Sequence, residues 1–158
     1  MQVAKYKNLH TNVIIDGDIA KLWRYEPTEG FVEEKEKKQV RYVATVPVED
    51  VEVFFMGFSV EWNGEQFGCD LEEENGYLYT TDAEQAKQYS FHVARRNGWT
   101  PVLYGKSVPL AECSKFFVYR EGYDVKKKAY QPFGFVSEVS KEKWIQYQEM
   151  IQNLLPPR

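Results

Sequence analysis

The chain has 158 residues, and its 24 acidic and 20 basic side chains give a formal net charge of −4. Because phosphates repel a negative surface, this balance argues against a protein that binds nucleic acid directly. No apolar run reaches the length of a membrane span, and the amino terminus lacks the apolar stretch of a secretory signal. We therefore expect a cytoplasmic protein without membrane contact. Aromatic residues make up 16% of the chain and favour strands, which predicts a core built on sheets.

The amino-terminal part of the chain predicts a hairpin, a short helix and a strand. Turn-forming residues at 16–18 separate two apolar stretches, as in a β-hairpin. Residues 31–39 are rich in Glu and Lys at helical spacing, which favours a short solvated helix. Residues 40–46 alternate like a strand, and we expect Pro47 to end it.

The middle of the chain predicts two tight turns and a longer helix. Asn63-Gly64 is a strong signal for a type I′ hairpin turn, because both central positions of that turn need positive φ. Asn75-Gly76 predicts a second turn. The Thr-x-x-Glu pattern of 81–84 matches a capping box, so a helix should begin there. We expect this helix to run to Arg95-Arg96, with Asn97-Gly98 as its left-handed cap.

The carboxy-terminal part predicts more short strands and a final helix. Strands are expected at 101–108, 116–123 and 133–136, and the lysines at 126–128 mark an exposed turn. Ser140 should cap a helix with apolar residues at spacings of three and four. These residues are Trp144, Tyr147, Ile151 and Leu154. The predicted fold class is therefore α+β, with short antiparallel strands, a mid-chain helix and a C-terminal helix.

A stretch of ten residues recurs at an offset of 62 residues. Residues 46–55 read VPVEDVEVFF, and residues 108–117 read VPLAECSKFF. The shared Val-Pro and double Phe predict an internal repeat. We place a first β-rich unit at 3–57, a second similar unit at 58–119, and closing strands with the C-terminal helix at 120–158, all within one compact domain.

The sequence carries none of the common catalytic or metal-binding motifs, so we predict no catalytic residue, no metal and no cofactor. His92 is expected on the surface of the predicted helix. Cys69 and Cys113 could pair, but we expect them to stay reduced, with Cys113 in a buried apolar role. Acidic residues such as Asp16 could bind a cation, although Asp-Gly-Asp also suits an ordinary turn.

An acidic run flanked by aromatic residues is the feature that points to function. Acidic side chains attract a basic partner, and aromatic rings can then hold it by apolar contact. The alternative is that the rings face the core while the acids solvate the surface. The candidate partner-binding residues are Trp62, Phe67, Asp70, Glu72, Glu73, Glu74, Tyr77 and Tyr79.

Three segments of the chain carry a resemblance to a known kind of protein. The hairpin strands at 58–67, the segment 74–86 and the closing residues 108–113 resemble small proteins of Gram-positive bacteria, some of which look like immunity partners of polymorphic toxins. The resemblance rests on patterns of apolar residues and turns. It implies an intracellular protein that neutralises a toxin domain by occluding it, without catalysis.

We therefore predict a non-enzymatic protein-binding module, an inhibitor or immunity-type protein of bacterial or phage origin. Its partner would be a basic protein, such as a toxin or a nucleic-acid enzyme. The alternative is a small enzyme or small-ligand binder with a site between the two repeat units. A pocket in which His92, Arg95 and Asp16 converge would indicate that alternative.

Overall fold

Short antiparallel strands account for most of the regular structure in the computed structural model, which describes residues 1–96, 98, 101–131 and 134–157. The strands are β1 (Gln2–Tyr6), β2 (Leu9–Asp16), β3 (Ile19–Arg24), β4 (Val32–Glu36), β5 (Gln39–Pro47), β6 (Glu52–Trp62), β7 (Glu65–Glu72), β8 (Asn75–Thr80), β9 (His92–Arg95), β10 (Leu103–Pro109), β11 (Lys115–Asp124), β12 (Ala129–Tyr130) and β13 (Phe135–Val139). The α-helices are α1 (Ala83–Gln88) and α2 (Lys141–Gln152), and short 3₁₀ helices lie at Val48–Asp50 and Leu110–Glu112. The predicted α+β class, with one helix in mid-chain and one near the C-terminus, is confirmed.

The chain divides into two compact units. The first unit comprises Met1–Met56, Tyr119–Val136 and Glu149–Arg158, and the second comprises Gly57–Val118 and Ser137–Gln148. Strands β6 and β11 and helix α2 thus contribute residues to both units. The segment that we predicted to close the chain, 120–158, is divided between them.

The sheet of the first unit has the strand order β4-β5-β3-β2-β1-β6. Its hairpin turn between β2 and β3 has Gly17 at a φ of 60°, as the turn-forming residues predicted. The cross-strand pair Val13 and Leu22 lies on the buried side of this hairpin. A buried cluster on that side forms the core of the unit; it consists of Ala4, Val13, Ala20, Leu22 and Val53.

The sheet of the second unit has the strand order β9-β10-β8-β7-β6. The predicted turn between β6 and β7 is confirmed, since Asn63 and Gly64 have φ values of 52° and 76°. Alternate residues of β7 and β8 point to the core of the unit. Among them, Phe67, Cys69 and Leu78 are fully buried or nearly so.

The two similar decapeptides have the same local structure. In each, a strand ends at a proline, a short 3₁₀ helix follows, and the chain then enters another strand. The first residue of each 3₁₀ helix donates its backbone N–H to a hairpin-turn carbonyl, from Val48 to Asp18 at 2.9 Å and from Leu110 to Glu74 at 3.3 Å. The internal repeat itself stays a prediction.

The Glu- and Lys-rich segment forms a hairpin, so our prediction of a helix at 31–39 was wrong. Strands β4 and β5 pair across a turn in which Lys37 has a φ of 56°. Arg41 on β5 contacts two carboxylates of β4, those of Glu34 and Glu36, each at 2.9 Å. Cross-strand ion pairs therefore replace the helical pairs that the spacing indicated.

The mid-chain helix is shorter than predicted and has a different cap. Asp82 is the N-cap and accepts hydrogen bonds from the backbone N–H groups of Glu84 and Gln85 at 3.0 and 3.2 Å. The helix ends at Gln88, and the residues expected to continue it form strand β9. The predicted cap at Asn97-Gly98 therefore has no helix to end, and Asn97 lies outside the described residues.

The second predicted turn is displaced by two residues. The turn between β7 and β8 consists of Glu73 and Glu74, and Glu73 has a φ of 54°. Gly76 lies within β8, where a Cβ would stand 2.7 Å from the sulfur of Cys69 and 3.2 Å from a methyl of Leu110. The glycine is thus needed for close packing inside the unit and not for a turn.

The strands predicted at 101–108 and 116–123 correspond to β10 and β11, which differ from them by one or two residues at their ends. The lysines at 126–128 lie in an exposed turn, and Ser140 accepts a hydrogen bond from the backbone of Lys143 at 3.2 Å at the start of α2. Of the predicted strand at 133–136, residue 133 lies outside the described residues. None of the helices in the described ranges is long and apolar enough to cross a membrane.

Candidate protein-binding face

The register of β7 and β8 places most of the candidate residues on one side of the second unit's sheet. Asp70 pairs with Tyr77, and Gly68 pairs with Tyr79. Because side chains alternate between the two sides of a strand, Asp70 and Glu72 share a side with both tyrosines. We call this side, together with Glu73 and Glu74 in the adjoining turn, the acidic tyrosine face.

Two candidate residues lie inside the unit and not on this face. The side chains of Trp62 and Phe67 are 6% and 2% exposed. Their rings contact each other at 5.8 Å between centroids, and both contact Tyr89, at 5.2 and 5.9 Å. Successive side chains of a strand point to opposite sides of the sheet, and Phe67 is three residues from Asp70 on β7. The sequence could therefore have indicated that Phe67 lies on the side opposite to Asp70. For these two rings the structure favours the core alternative.

Each tyrosine of the face lies across a glycine of a neighbouring strand. A Cβ at Gly68 of β7 would stand within 2.7 Å of three atoms of the Tyr79 ring. A Cβ at Gly105 of β10 would stand within 2.7 Å of three side-chain atoms of Tyr77. The tyrosines therefore lean in opposite directions from β8 and together cover parts of three strands. The role of these two glycines depends on strand register and cannot be predicted from the sequence.

The glutamates of the face form no salt bridge within the part of the chain that the structure describes. Glu72, Glu73 and Glu74 are all exposed. Desolvation, followed by repulsion from Glu72, raises the pKa of Asp70. The face thus holds negative charge that an external cation could compensate.

The tyrosine hydroxyls of the face remain protonated at neutral pH. Burial, followed by the charge of Asp70, raises the pKa of Tyr79 to about 12. Burial and then the charge of Glu72 also raise the pKa of Tyr77. The Tyr77 hydroxyl lies 3.3 Å from Nε2 of His92, which is exposed on β9 as predicted, although in a strand and not in a helix. Neutral rings beside carboxylates can hold cations.

The cysteines do not form a reactive site. Cys69 and Cys113 are both free and buried, and Cys113 has the buried role that we predicted. Burial is the main cause that raises the pKa of each thiol, so the thiolate form is disfavoured at neutral pH. Among the described residues, no group of three or more His, Cys, Asp or Glu side chains is arranged to hold a metal ion.

A separate open cavity lies within the first unit. Its volume is about 600 Å³, and it is bordered by parts of β4 and β5 and by the residues before β4. Tyr6 and Phe31 give it aromatic walls, whereas Lys7, Glu29 and Glu33 bring charges of both signs.

Comparisons with protein-family models, curated proteins and solved structures found no match to this chain. The function of the face must therefore be argued from its own residues.

Proposed function

We propose that the chain is a non-enzymatic protein-binding module that occludes a basic partner protein with its acidic tyrosine face, as an inhibitor or immunity-type protein does. The supporting observation is that Asp70 and Glu72 share one sheet side with the half-buried rings of Tyr77 and Tyr79. No catalytic chemistry is required for this role.

The two kinds of side chain have complementary effects on binding. The exposed carboxylates of Glu72, Glu73 and Glu74 speed the encounter with a basic surface and orient it, and the net charge of −4 acts in the same direction. The tyrosine rings then contribute apolar contact at the centre of the interface, where aromatic residues carry much of the binding energy. Because Trp62 and Phe67 are buried, the proposed contact set omits them.

Parallel purification of the partner with two tagged baits tests this proposal. One bait is the wild type, and the other carries Lys in place of Glu72, Glu73 and Glu74. We expect the wild type to retain one stoichiometric basic protein from its native cells at moderate salt, and the variant to lose it. Equal recovery by both baits, with the variant still folded by circular dichroism, would reject the acidic tyrosine face as the binding surface.

The cavity of the first unit supports a second candidate function, the binding of a small ligand. Its volume of about 600 Å³ lies in the usual range for ligand sites. Ala44 lies in its wall, so Ala44→Phe should fill part of it. A compound that raises the melting temperature of the wild type but not of this variant would support a ligand site. A broad metabolite screen without any such compound would exclude it.

A further inference from the structure

The acidic tyrosine face offers two combinations of an aromatic ring and a nearby carboxylate. Tyr79 lies across Gly68, which is two residues from Asp70 on the same side of β7. The charge of Asp70 acts on the Tyr79 hydroxyl, and the charge of Glu72 acts on the Tyr77 hydroxyl. In the register, Asp70 lies directly opposite Tyr77 and diagonal to Tyr79, and Glu72 lies diagonal to Tyr77. Such neighbours on one side of a sheet are about 5 to 8 Å apart, which allows one cationic group to interact with a ring and a carboxylate.

The glycines hold the rings against the sheet. A strand side chain ordinarily stands away from the sheet, but Tyr77 and Tyr79 lie where the side chains of Gly105 and Gly68 would be. Each ring therefore rests on the backbone of the adjacent strand, and its orientation is restricted before any partner binds. A preorganised ring loses little conformational entropy on binding.

The geometry points to a particular group on the partner. We propose that the acidic tyrosine face binds arginine side chains, whose guanidinium groups lie against Tyr77 and Tyr79 and donate hydrogen bonds to Asp70 and Glu72. A guanidinium is planar, stacks on aromatic rings and donates two parallel hydrogen bonds to a carboxylate. The ammonium of lysine is a compact and strongly hydrated charge that lacks this match. This inference rests on the proposed function and names the chemistry of the partner's contact residues.

Titration with short peptides tests the inference apart from any natural partner. The probes are an acetylated Gly-Arg-Gly-Arg-Gly amide and the same peptide with lysine at both arginine positions. Binding of each peptide is monitored by the NMR signals of the tyrosine rings. We expect the arginine peptide to bind about threefold tighter or more, which corresponds to a modest stacking contribution of about 0.7 kcal/mol. Equal affinity for the two peptides, or no shift of the Tyr77 and Tyr79 signals, would overturn the inference.

Glycine variants test the role of ring orientation. Gly68→Ala and Gly105→Ala together should displace both rings, because each new Cβ would enter the space of a ring. We expect these changes to remove the preference for arginine, while Gly122→Ala, whose Cβ would meet no described atom closer than 4.0 Å, should preserve it. If the glycine variants fold poorly, the double variant Tyr77→Leu, Tyr79→Leu replaces them, and it should also lose the preference for the arginine peptide. A preference that persists in the folded tyrosine variant would contradict the inference.

The outcomes separate this inference from the proposed function. If the variant with Lys at positions 72–74 loses the natural partner while the two peptides bind equally, the face is a protein-binding surface without arginine selectivity. If the arginine peptide binds selectively but the natural partner is retained by that variant, the stacking site exists and the occlusion proposal fails.

Discussion

The ring of Tyr79 occupies the space that a side chain at residue 68 would need, and Gly68 leaves that space open. The two residues are direct cross-strand partners in β7 and β8. Their relationship keeps an aromatic ring close to the sheet and beside Asp70, where it can contribute to a binding surface without protruding into solvent.

Replacement of Asp70 by Asn should stabilise the fold at neutral pH. The pKa of Asp70 is raised in the folded protein, so this carboxyl stabilises the fold below its unfolded pKa and loses that contribution as the pH rises through the folded value. At neutral pH the ionised group is therefore unfavourable. Because the side chain is exposed, we expect a gain below about 1 kcal/mol, measured by urea unfolding at several pH values.

The same substitution should weaken binding, because it removes a charge from the acidic tyrosine face. Glu49→Gln, at an exposed position outside the face, is the control for loss of one charge and should leave binding unchanged. A lower melting temperature of Asp70→Asn at pH 7 would contradict the assigned direction of the pKa shift.

The cap of α1 can be assigned by two alanine variants. Asp82→Ala removes the acceptor of two backbone hydrogen bonds and should cost about 1 kcal/mol in the free energy of unfolding. Thr81→Ala alters the residue that the sequence pattern favoured, and it should cost less because Thr81 is exposed and precedes the cap. Chemical denaturation of the two variants measures the difference; a larger loss at Thr81 would restore the predicted capping box.

Gln148 connects α2 to β7 inside the second unit. Its amide donates to the Cys69 carbonyl at 3.0 Å and accepts from the Leu71 N–H at 3.4 Å, and its side chain is buried. Gln148→Leu should cost about 1–3 kcal/mol, because buried backbone groups lose hydrogen bonds. Gln146→Leu, at an exposed position of the same helix, is the control. Equal melting temperatures for the two variants would show that the buried amide contributes no stability.

The turn at Asn63-Gly64 should be sensitive to a β-branched residue. Gly64 has a φ of 76° and open space around its Cα, so Gly64→Val introduces backbone strain without a clash. We expect a loss of about 1–2 kcal/mol, read from the midpoint of urea unfolding. Gly122→Val is the control, since a Cβ at Gly122 would meet no described atom closer than 4.0 Å and its φ lies outside the left-handed region. If both valines are tolerated equally, positive φ at Gly64 does not limit stability.

Features that depend on local sequence could be predicted, and features that depend on strand register could not. The turns at Gly17 and at Asn63-Gly64 could be predicted because Gly and Asn adopt positive φ more readily than other residues. The Glu- and Lys-rich segment was misassigned because opposite charges can pair across a hairpin as well as along a helix, as Arg41 and Glu34 do.

In the candidate site, too, local features could be predicted and features that depend on strand register could not. The acids at 70–74 and the tyrosines at 77 and 79 could be identified by their proximity in the sequence. Gly105 could not be identified in this way, because it approaches Tyr77 only through the pairing of β8 with β10. Trp62 lies close to the acidic run in the sequence, but its side chain belongs to a cluster of rings in the core.

Calorimetric titration of the purified partner with two charge-matched variants tests the central claim most directly. Both variants replace three exposed glutamates by lysine: Glu72, Glu73 and Glu74 in one, and Glu29, Glu49 and Glu149 in the other. If the acidic tyrosine face binds the partner, the first variant should lose most of the wild-type affinity at physiological salt, and the second should retain most of it. Equal losses in the two variants would show that net charge alone governs binding and would contradict the proposed face.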